Sequence, residues 1–559
     1  MSELSELIVR GRIRPSGSEH LVEAILVRDG RIAAAGSAAD CRAHAVTTPE
    51  ELDLGELTIL PGFVDAHCHP LMHGQFASWA DCSWTAAPTI DAVVEVLRRR
   101  GEAQPGAIRG RGFHHGNVAE QRMLNRHDLD RVSTEREVLV FHSSGHGAIA
   151  NSAVLRALGI TAETADPEGG HLGRDADGAP DGTFWDAAAD WLTGVAGVKI
   201  GNNGPNFHLS DDPDELRAQL AAAQRELHSV GVTSVVDAQV TSRELGTYLR
   251  ARDRGELTLR AELLVISSLI EQLEQLGVSG RLGDEQLAIA GVKLYSDGAL
   301  TAATARFSSP YCCDPADFGY LYHPDGELEG MIARVTALGL PSATHAQGDA
   351  AIELVLDIHE RLAPGAGPRP LRHRIEHFGG PTPAQVRRAA ELELWPITQP
   401  QYLARYGDEL LEALGDRAER LTPLGEIRDA GAPVVLSSDA PVCPPGPLEA
   451  VHAAVTRRTT GGRVLGGPEL QLALAEAILG HTRTAAASIS REHAIGSLEP
   501  GRFADFVVLD RDPYLVGIDE VPEIRVLQTW VGGKAVYEAE RHAGDTARQR
   551  AMPLAEGAR

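Results

Sequence analysis

Two histidines two positions apart give this sequence its clearest chemical signal. They lie in the segment DAHCH at 65–69, which follows an apolar run and a Pro-Gly turn at 61–62. Side chains alternate between the two faces of a strand, so His67 and His69 share one face with Asp65 below them. Two imidazoles in this arrangement can bind one metal ion from one side. We expect Asp65 to accept a hydrogen bond from a ligand imidazole rather than to contact the metal.

Ligand-type residues also end three later apolar segments, in His345, in Glu376-His377 and in Asp439, and a further segment carries Lys293. Imidazoles and carboxylates that converge from separate strands form a metal site, whereas a packed core histidine needs no such companions. By strand parity we expect Glu376 to face away from His377, into the surrounding helices. The residues therefore predict a metal centre built from the ends of several strands.

The elements that would position these residues are eight short apolar segments alternating with helical ones, the pattern of a parallel α/β fold. The segments are 59–69, 233–237, 259–266, 289–296, 341–346, 372–377, 394–400 and 433–440. Eight such units form a closed (β/α)₈ TIM barrel, whose active site lies at the C-terminal ends of the strands. We predict a barrel domain over 59–489.

A long interval, 70–225, separates the first strand from the second, whereas βα connections usually have about 2–6 residues. It is rich in His, Gly and Asp, and we interpret its glycine-rich stretch at 167–182 as a loop. An insertion after the first strand of a barrel lies over the catalytic mouth, so we predict a lid and a wall of the substrate pocket. His114, His115 and His146 in this insertion could face the pocket or be ordinary solvated histidines.

The two ends of the chain contain short strands with turn residues between them, such as Asp29-Gly30, a hairpin signal. Neither end has enough strands to bury a face alone. We predict that 1–58 and 490–545 combine into one small β-sandwich, followed by a polar tail that is a helix or a frayed end.

Composition excludes several classes of partner. The chain has 52 basic and 78 acidic residues, a net charge of −26, which argues against binding to nucleic acid or to an anionic membrane. Its six cysteines show no CxxC spacing, as expected for reduced thiols in a cytosol. No signal-peptide pattern and no apolar run of about 18 residues is present. We expect a cytoplasmic protein; its oligomeric state is open, with a homodimer as the default expectation.

Motifs along nearly the whole chain carry a resemblance to a known family. They include PGFVDAHCHP, GHGAIANSAVLRALGI, GVKLYSDGAL, THAQGDAAIELVLD, HRIEH, SSDAPV and SLEPGRFADFVVLDRDP. The sequence resembles the amidohydrolase superfamily and, within it, the YtcJ-like group (amidohydrolase family 3) that includes N-substituted formamide deformylase. The SLEPGRFADF motif resembles the family's return to its β-sandwich, marked by Ala504-Asp505.

The resemblance implies a two-metal site with six protein ligands. One ion would be bound by His67, His69 and Asp439, and the other by His345 and His377. Lys293 matches a strand-four lysine that CO₂ converts to a carbamate bridging both ions. Such ions lie about 3.5–4 Å apart and share a hydroxide. Zinc is the default metal for imidazole and carboxylate ligands, with Mn, Fe and Co open.

The predicted activity is metal-dependent hydrolysis of a C–N bond in a small amide, formamide or cyclic amide. Asp439 would act first as general base and then as general acid toward the departing amine. Two alternatives stay open: a deaminase or ester-type hydrolase on the same barrel, with one metal or two, and a non-catalytic scaffold. Lys293 argues against a mononuclear deaminase, and the retained ligands argue against a scaffold. Predicted substrate contacts are His114, His146, Asp297, Arg306 and Gln399.

Overall fold

The computed structural model describes residues 5–540 apart from 104, 194–196, 210, 313, 325 and 363–370. The predicted polar tail, and the last residues of the 490–545 segment, lie outside the described residues. Within them the strands form three sheets: a barrel, a sheet in the insertion and a sheet shared by the two ends of the chain.

Eight parallel strands, paired in chain order, form the barrel and confirm the predicted fold. They are β5 (Phe63–Cys68), β12 (Val232–Val240), β13 (Arg260–Ile266), β15 (Leu287–Tyr295), β16 (Ser342–Ala346), β17 (Arg374–His377), β18 (Trp395–Thr398) and β19 (Val435–Leu436), with the short β14 (Leu282–Gly283) beside β15. The last strand meets the first beyond its own end. There Asp439 N–H donates to the His67 carbonyl and His69 N–H donates to the Ala440 carbonyl, both at 2.8 Å.

Helices cover the outside of the barrel because each has one apolar face. In the first, α6 (Pro213–Ser229), the Asp212 side chain accepts the Asp214 N–H and starts the helix, and Leu216, Leu220 and Leu227 are buried toward the strands. The others are α7 (Ser242–Asp253), α8 (Ile270–Gln275), α9 (Glu327–Ala337), α10 (Asp349–Leu362), α11 (Pro383–Glu391), α12 (Pro400–Leu414), α13 (Leu424–Asp429), α14 (Pro447–Thr456), α15 (Leu474–Gly480) and α16 (Arg483–Ser488).

The insertion contains a six-stranded sheet of its own, in the order β10-β11-β9-β8-β7-β6. Its strands are β6 (Ala80–Asp81), β7 (Ile108–Phe113), β8 (Val138–His142), β9 (Gly147–Ala150), β10 (Gly170–Arg174) and β11 (Pro180–Asp186), and its helices are α2 (Pro70–Ala77), α3 (Ile90–Ala103), α4 (Arg126–Asp130) and α5 (Ser152–Leu158). The glycine-rich stretch is therefore a hairpin, β10–β11, and the expectation of a loop is wrong. Buried Leu172 and Phe184 face each other across that hairpin, and the Asp177-Gly178 turn joins its strands.

The two ends of the chain combine in one sheet, as predicted. The strands are β1 (Glu6–Ile13), β2 (Val22–Arg28), β3 (Arg31–Gly36), β4 (Glu50–Pro61), β20 (Phe506–Leu509), β21 (Val526–Val531) and β22 (Lys534–Glu538), with α1 (Ala38–His44) packed beside them. The sheet curls until Arg31 pairs with Phe503. Residues 59–61 belong to β4, so the first barrel strand begins later than predicted.

Asp505 ties this terminal sheet to the barrel. Its carboxylate accepts two hydrogen bonds from the buried Arg260 of β13, at 2.6 and 3.0 Å, and its carbonyl accepts the N–H of Gly62 just before β5. Asp505 of the Ala504-Asp505 pair therefore fixes the start of β5, the strand that contains His67 and leads to His69. In the described residues, no helix is long and apolar enough to cross a membrane.

Candidate metal centre

His67, His69 and Asp439 meet where the first and last barrel strands close. One oxygen of Asp439 lies 3.4 Å from His67 Nε2 and 3.2 Å from His69 Nε2, and all three side chains are buried. His67 is the penultimate residue of β5, His69 precedes α2, and Asp439 follows β19 at a positive φ of 57°. The two backbone hydrogen bonds that close the barrel therefore also set the separation of these three ligands.

The imidazole of His67 is oriented by a buried carboxylate. His67 Nδ1 donates a short hydrogen bond to Glu376, which also accepts from Arg374 at 2.6 and 3.0 Å. The expectation that Glu376 faces the helices is wrong. His377 has a φ of 71°, so the chain leaves regular strand geometry there, and the side chains of Glu376 and His377 both lie inside the barrel.

His345 and His377 form a second pair, with ring centroids 4.5 Å apart. His345 Nε2 donates to the Gly298 carbonyl at 2.9 Å, which leaves Nδ1 free for a metal. His377 Nδ1 donates to Gln399 Oε1 at 2.9 Å, which leaves Nε2 free. Gln399, predicted as a substrate contact, instead orients a ligand and is itself bound to Ser437. Such partners fix the tautomer and the ring direction of metal-binding histidines.

Lys293 lies on β15, and its side chain is only 1 % exposed. Its amine lies 4.7 Å from the centre of the Tyr295 ring. Burial lowers the pKa of Lys293 to about 8. A fraction of the amine is therefore uncharged near neutral pH. The same cavity is lined by all six predicted ligands: His67, His69, Lys293, His345, His377 and Asp439, which we call the barrel-mouth centre.

The charge of Asp439 is stabilised by its neighbours. Burial opposes ionisation, but hydrogen bonds from His67 and His69, together with the charges of His67 and His377, hold the pKa of Asp439 well below its usual range. Asp439 is therefore a carboxylate at neutral pH, suited to bind a cation or to accept a proton.

Asp65 supports the centre in a different way from the one expected. Its carboxylate accepts the backbone N–H of Ser438 at 3.0 Å and the Ser438 hydroxyl, rather than an imidazole. This contact holds the backbone immediately before Asp439. The prediction of a bond to a ligand ring is thus wrong, although Asp65 does help to position a ligand.

The donor set fits divalent metal ions. Four imidazoles and a carboxylate face one cavity, and three of the imidazoles have their second nitrogen fixed by another group. The Nδ1 atom of His69 is buried and has no hydrogen-bond partner among the described residues. A buried polar atom without a partner is the usual mark of an ion or water that completes a site.

The insertion supplies one wall of the cavity, with Met72, Ser144, His146, Pro205 and Phe207. The opposite wall includes Tyr295, Thr301, Gln347, Tyr402 and Val442. His146, a predicted contact, lies in this lining. Its Nδ1 donates to Asp186 at 2.8 Å, and the hydroxyls of Tyr320 and Tyr322 also donate to Asp186. Sequence reasoning missed Asp186 and both tyrosines, which lie far from His146 along the chain.

Three other predicted contacts do not line this cavity. Asp297 accepts the backbone N–H groups of Arg306, Gln347 and Gly348 at 2.9–3.0 Å and organises the loop after β15; burial raises its pKa to about 7. The Arg306 side chain bonds the Gly319 carbonyl. His114 belongs to a separate group with His115 and His142.

Comparison with known proteins assigns the chain to a family. A family model described as Amidohydrolase family matches residues 50–537. The chain is 30% identical to N-substituted formamide deformylase of Arthrobacter pascens, covering 96% of this chain and 99% of the relative. It is also 30% identical to the putative amidohydrolase YtcJ of Bacillus subtilis (strain 168), over 92% of this chain and 96% of the relative.

The fold has solved counterparts. The crystal structure of an uncharacterized metal-dependent hydrolase from Pyrococcus horikoshii superimposes with a TM-score of 0.76 at 25% identity, covering 92% of this chain and 99% of that one. Barrel, centre and relatives define a hydrolase that acts on carbon–nitrogen bonds. The chain belongs to the amidohydrolase family.

Proposed function

We propose that the protein hydrolyses the C–N bond of a small amide or formamide at the barrel-mouth centre. The observation that carries this proposal is the convergence of four imidazoles, a buried amine and an ionised carboxylate on one cavity. The 30% identity to a formamide deformylase over nearly the full length of both chains supports the bond type. Cytoplasmic location and a homodimer are retained as predictions from the sequence.

Divalent ions, zinc first and Mn, Fe or Co otherwise, would make a water molecule more acidic near neutral pH and would polarise a substrate carbonyl. His67 and His69 with Asp439 would hold one ion, and His345 with His377 the other. Asp439 accepts the proton of the attacking water and returns it to the leaving nitrogen, because an amine leaves readily only once it is protonated.

Lys293 would complete the centre as a carbamate. The uncharged amine forms a bond to the carbon of CO₂, and the nitrogen loses a proton to solvent. The carbamate would add a negative charge, which favours binding of cations by the neighbouring imidazoles. Burial lowers the pKa of the Lys293 amine and so favours its uncharged form, which is the form that reacts with CO₂. An ammonium group at this position would also oppose cation binding.

Elemental analysis and a substrate screen test the activity. The purified protein, loaded with zinc or cobalt, is assayed against N-formyl, N-acyl and cyclic amides. We expect at least one equivalent of metal and release of a carboxylate with an amine. Release of ammonia from an exocyclic amine would instead identify a deaminase. Less than about one equivalent, with no activity gained on reconstitution, contradicts the metal centre.

The carbamate is tested separately at Lys293. Lys293→Ala should lose metal and activity, and a short carboxylic acid should partly restore both by occupying the vacated space. A ¹³C-bicarbonate label should give a carbamate resonance in the wild-type protein and not in Lys293→Ala. Full activity in Lys293→Arg would rule the carbamate out, because a guanidinium does not form one.

A further inference from the structure

His146 lies at the edge of the barrel-mouth centre with one ring nitrogen facing the cavity. Its side chain lines that cavity, and its ring centre lies 6.0 Å from that of the ligand-type His345. The hydrogen-bond contacts of the ring within the described part of the chain all lie at Nδ1, which donates to Asp186 at 2.8 Å. Asp186 does not line the cavity. The ring therefore turns Nδ1 away from the cavity, and its remaining 6 % exposure leaves Nε2 on the cavity side.

The position of this ring is set by the insertion sheet. Gly147 of β9 pairs with Trp185 of β11, so His146 and Asp186 are the next residues to face each other across the two strands. The Asp186 N–H donates to the His146 carbonyl at 2.9 Å, and the His146 N–H donates to the Ser144 hydroxyl at 3.2 Å. The imidazole is thus held in place without any contact from a bound molecule.

Two tyrosines from the barrel fix the hydrogen-bonding state of the pair. The hydroxyls of Tyr320 and Tyr322 both donate to Asp186, and the Tyr322 N–H donates at 2.9 Å to the Ser296 carbonyl just after β15. Three donors therefore surround the carboxylate, which can only accept. The proton between Asp186 and His146 consequently lies on Nδ1, and the neutral ring presents a lone pair at Nε2.

The surroundings favour this neutral ring. The two tyrosine hydroxyls already stabilise the charge of Asp186, so the carboxylate does not depend on a second proton on His146. A second proton would also place a positive charge in the cavity that holds Lys293 and the imidazoles of the barrel-mouth centre. Nε2 is therefore suited to accept a hydrogen bond from whatever occupies the cavity.

We propose that Nε2 of His146 accepts a hydrogen bond from the N–H of the substrate, so that the preferred substrates are amides with hydrogen on the leaving nitrogen rather than N,N-disubstituted amides. This inference rests on the proposed hydrolase function. The bond would orient the leaving nitrogen, and Asp186 is a positioning residue that keeps His146 in its accepting form. A site built to bond a substrate N–H discriminates against an analogue that lacks it, because its own polar group is then left unpaired.

Two isomeric formamides test the preference without a difference in composition. N-ethylformamide carries an N–H, and N,N-dimethylformamide does not. We expect the wild-type protein to favour N-ethylformamide by about tenfold or more, the order of one hydrogen bond with an otherwise unpaired partner. The preference is measured twice: as the ratio of dissociation constants by ligand-observed NMR, and as the ratio of kcat/KM.

Replacements of His146 separate the accepting nitrogen from the contact with Asp186. His146→Asn can keep a donor near the position of Nδ1 but has no atom at Nε2, so the preference should fall by about tenfold. His146→Gln can place its side-chain oxygen near Nε2 and should retain much of the preference. Asp186→Asn can donate to Nδ1, which moves the ring proton to Nε2, and the preference should be lost there as well.

Tyr320→Phe is the matched control, because it removes one donor to Asp186 without changing which nitrogen of His146 carries the proton. It should keep the wild-type preference, and thermal unfolding checks that each variant is folded. The proposal is overturned if wild type binds both isomers equally, or if folded His146→Asn and Asp186→Asn both keep the wild-type ratio. Failure of the proposed hydrolase would show differently, as a binding preference that depends on His146 with no hydrolysis of either isomer.

Discussion

The barrel-mouth centre and the insertion histidines His114, His115 and His142 occupy the same kind of position in two different sheets. In both, histidines stand at or just after the C-terminal ends of adjacent parallel strands: Ala346 pairs with His377 in the barrel, and Phe113 pairs with His142 in the insertion. Ligands in α/β proteins collect at this edge because side chains at the ends of neighbouring strands converge there. Position at a strand end therefore does not decide by itself whether a histidine can bind a metal.

The difference lies in what holds the rings. At the barrel mouth, His67 is bound by Glu376, His345 by the Gly298 carbonyl and His377 by Gln399, all buried inside a closed ring of strands. In the insertion, the Gly116 N–H donates to His114 Nδ1 and the Ser144 N–H donates to His142 Nδ1, both at 3.2 Å, so the proton of each ring lies on Nε2. The barrel-mouth rings therefore keep a nitrogen free for an ion, whereas the insertion rings use theirs in hydrogen bonds.

The largest expected effect is that of Asp439→Asn, which should lower kcat roughly 10²–10⁴-fold, the usual contribution of a positioned proton-transfer group. The amide keeps the size of the side chain and one oxygen donor but cannot accept and return a proton. KM should change far less than kcat. Metal content, measured beside the kinetics, separates this effect from loss of metal. A kcat within about tenfold of wild type would show that another group transfers the proton.

Glu376→Gln should weaken metal binding at the barrel mouth by about 10–100-fold, the typical result of losing the partner of a ligand histidine. It should also destabilise the fold by about 3–5 kcal/mol, because the buried guanidinium of Arg374 loses its counter-ion. Glu376→Asp is the matched control: it keeps the charge beside Arg374 but is too short to hold both partners. Calorimetric zinc titration and thermal unfolding measure the two effects. If neither variant changes zinc affinity, Glu376 does not orient His67 for metal binding.

Sequence pattern alone was sufficient to select the six candidate ligands that line one cavity, because strand alternation and strand ends are local properties. His67 and His69 follow from the period of two, and His345, Lys293 and Asp439 from their places at the ends of apolar segments. The same rule failed at Glu376, since the positive φ of His377 breaks the period at the last residue of β17. Parity is therefore least reliable at the functional end of a strand, where the chain turns.

The missed contacts are those between distant parts of the chain. Asp186 reaches His146 and Tyr322, and Glu409 reaches His114, through packing of the insertion against the barrel. Sequence periodicity does not predict contacts between segments that lie so far apart along the chain.

The smallest expected effect is that of Ser144→Ala, which removes only the hydroxyl beside His142 Nδ1. The backbone N–H of Ser144 donates to that nitrogen at 3.2 Å, so the proton of the ring stays on Nε2. We expect the metal content to remain that of the wild type, because His142 then offers no free nitrogen to an ion. Elemental analysis of the purified variant measures it. Loss of a metal equivalent would contradict the contrast drawn between the two groups of histidines.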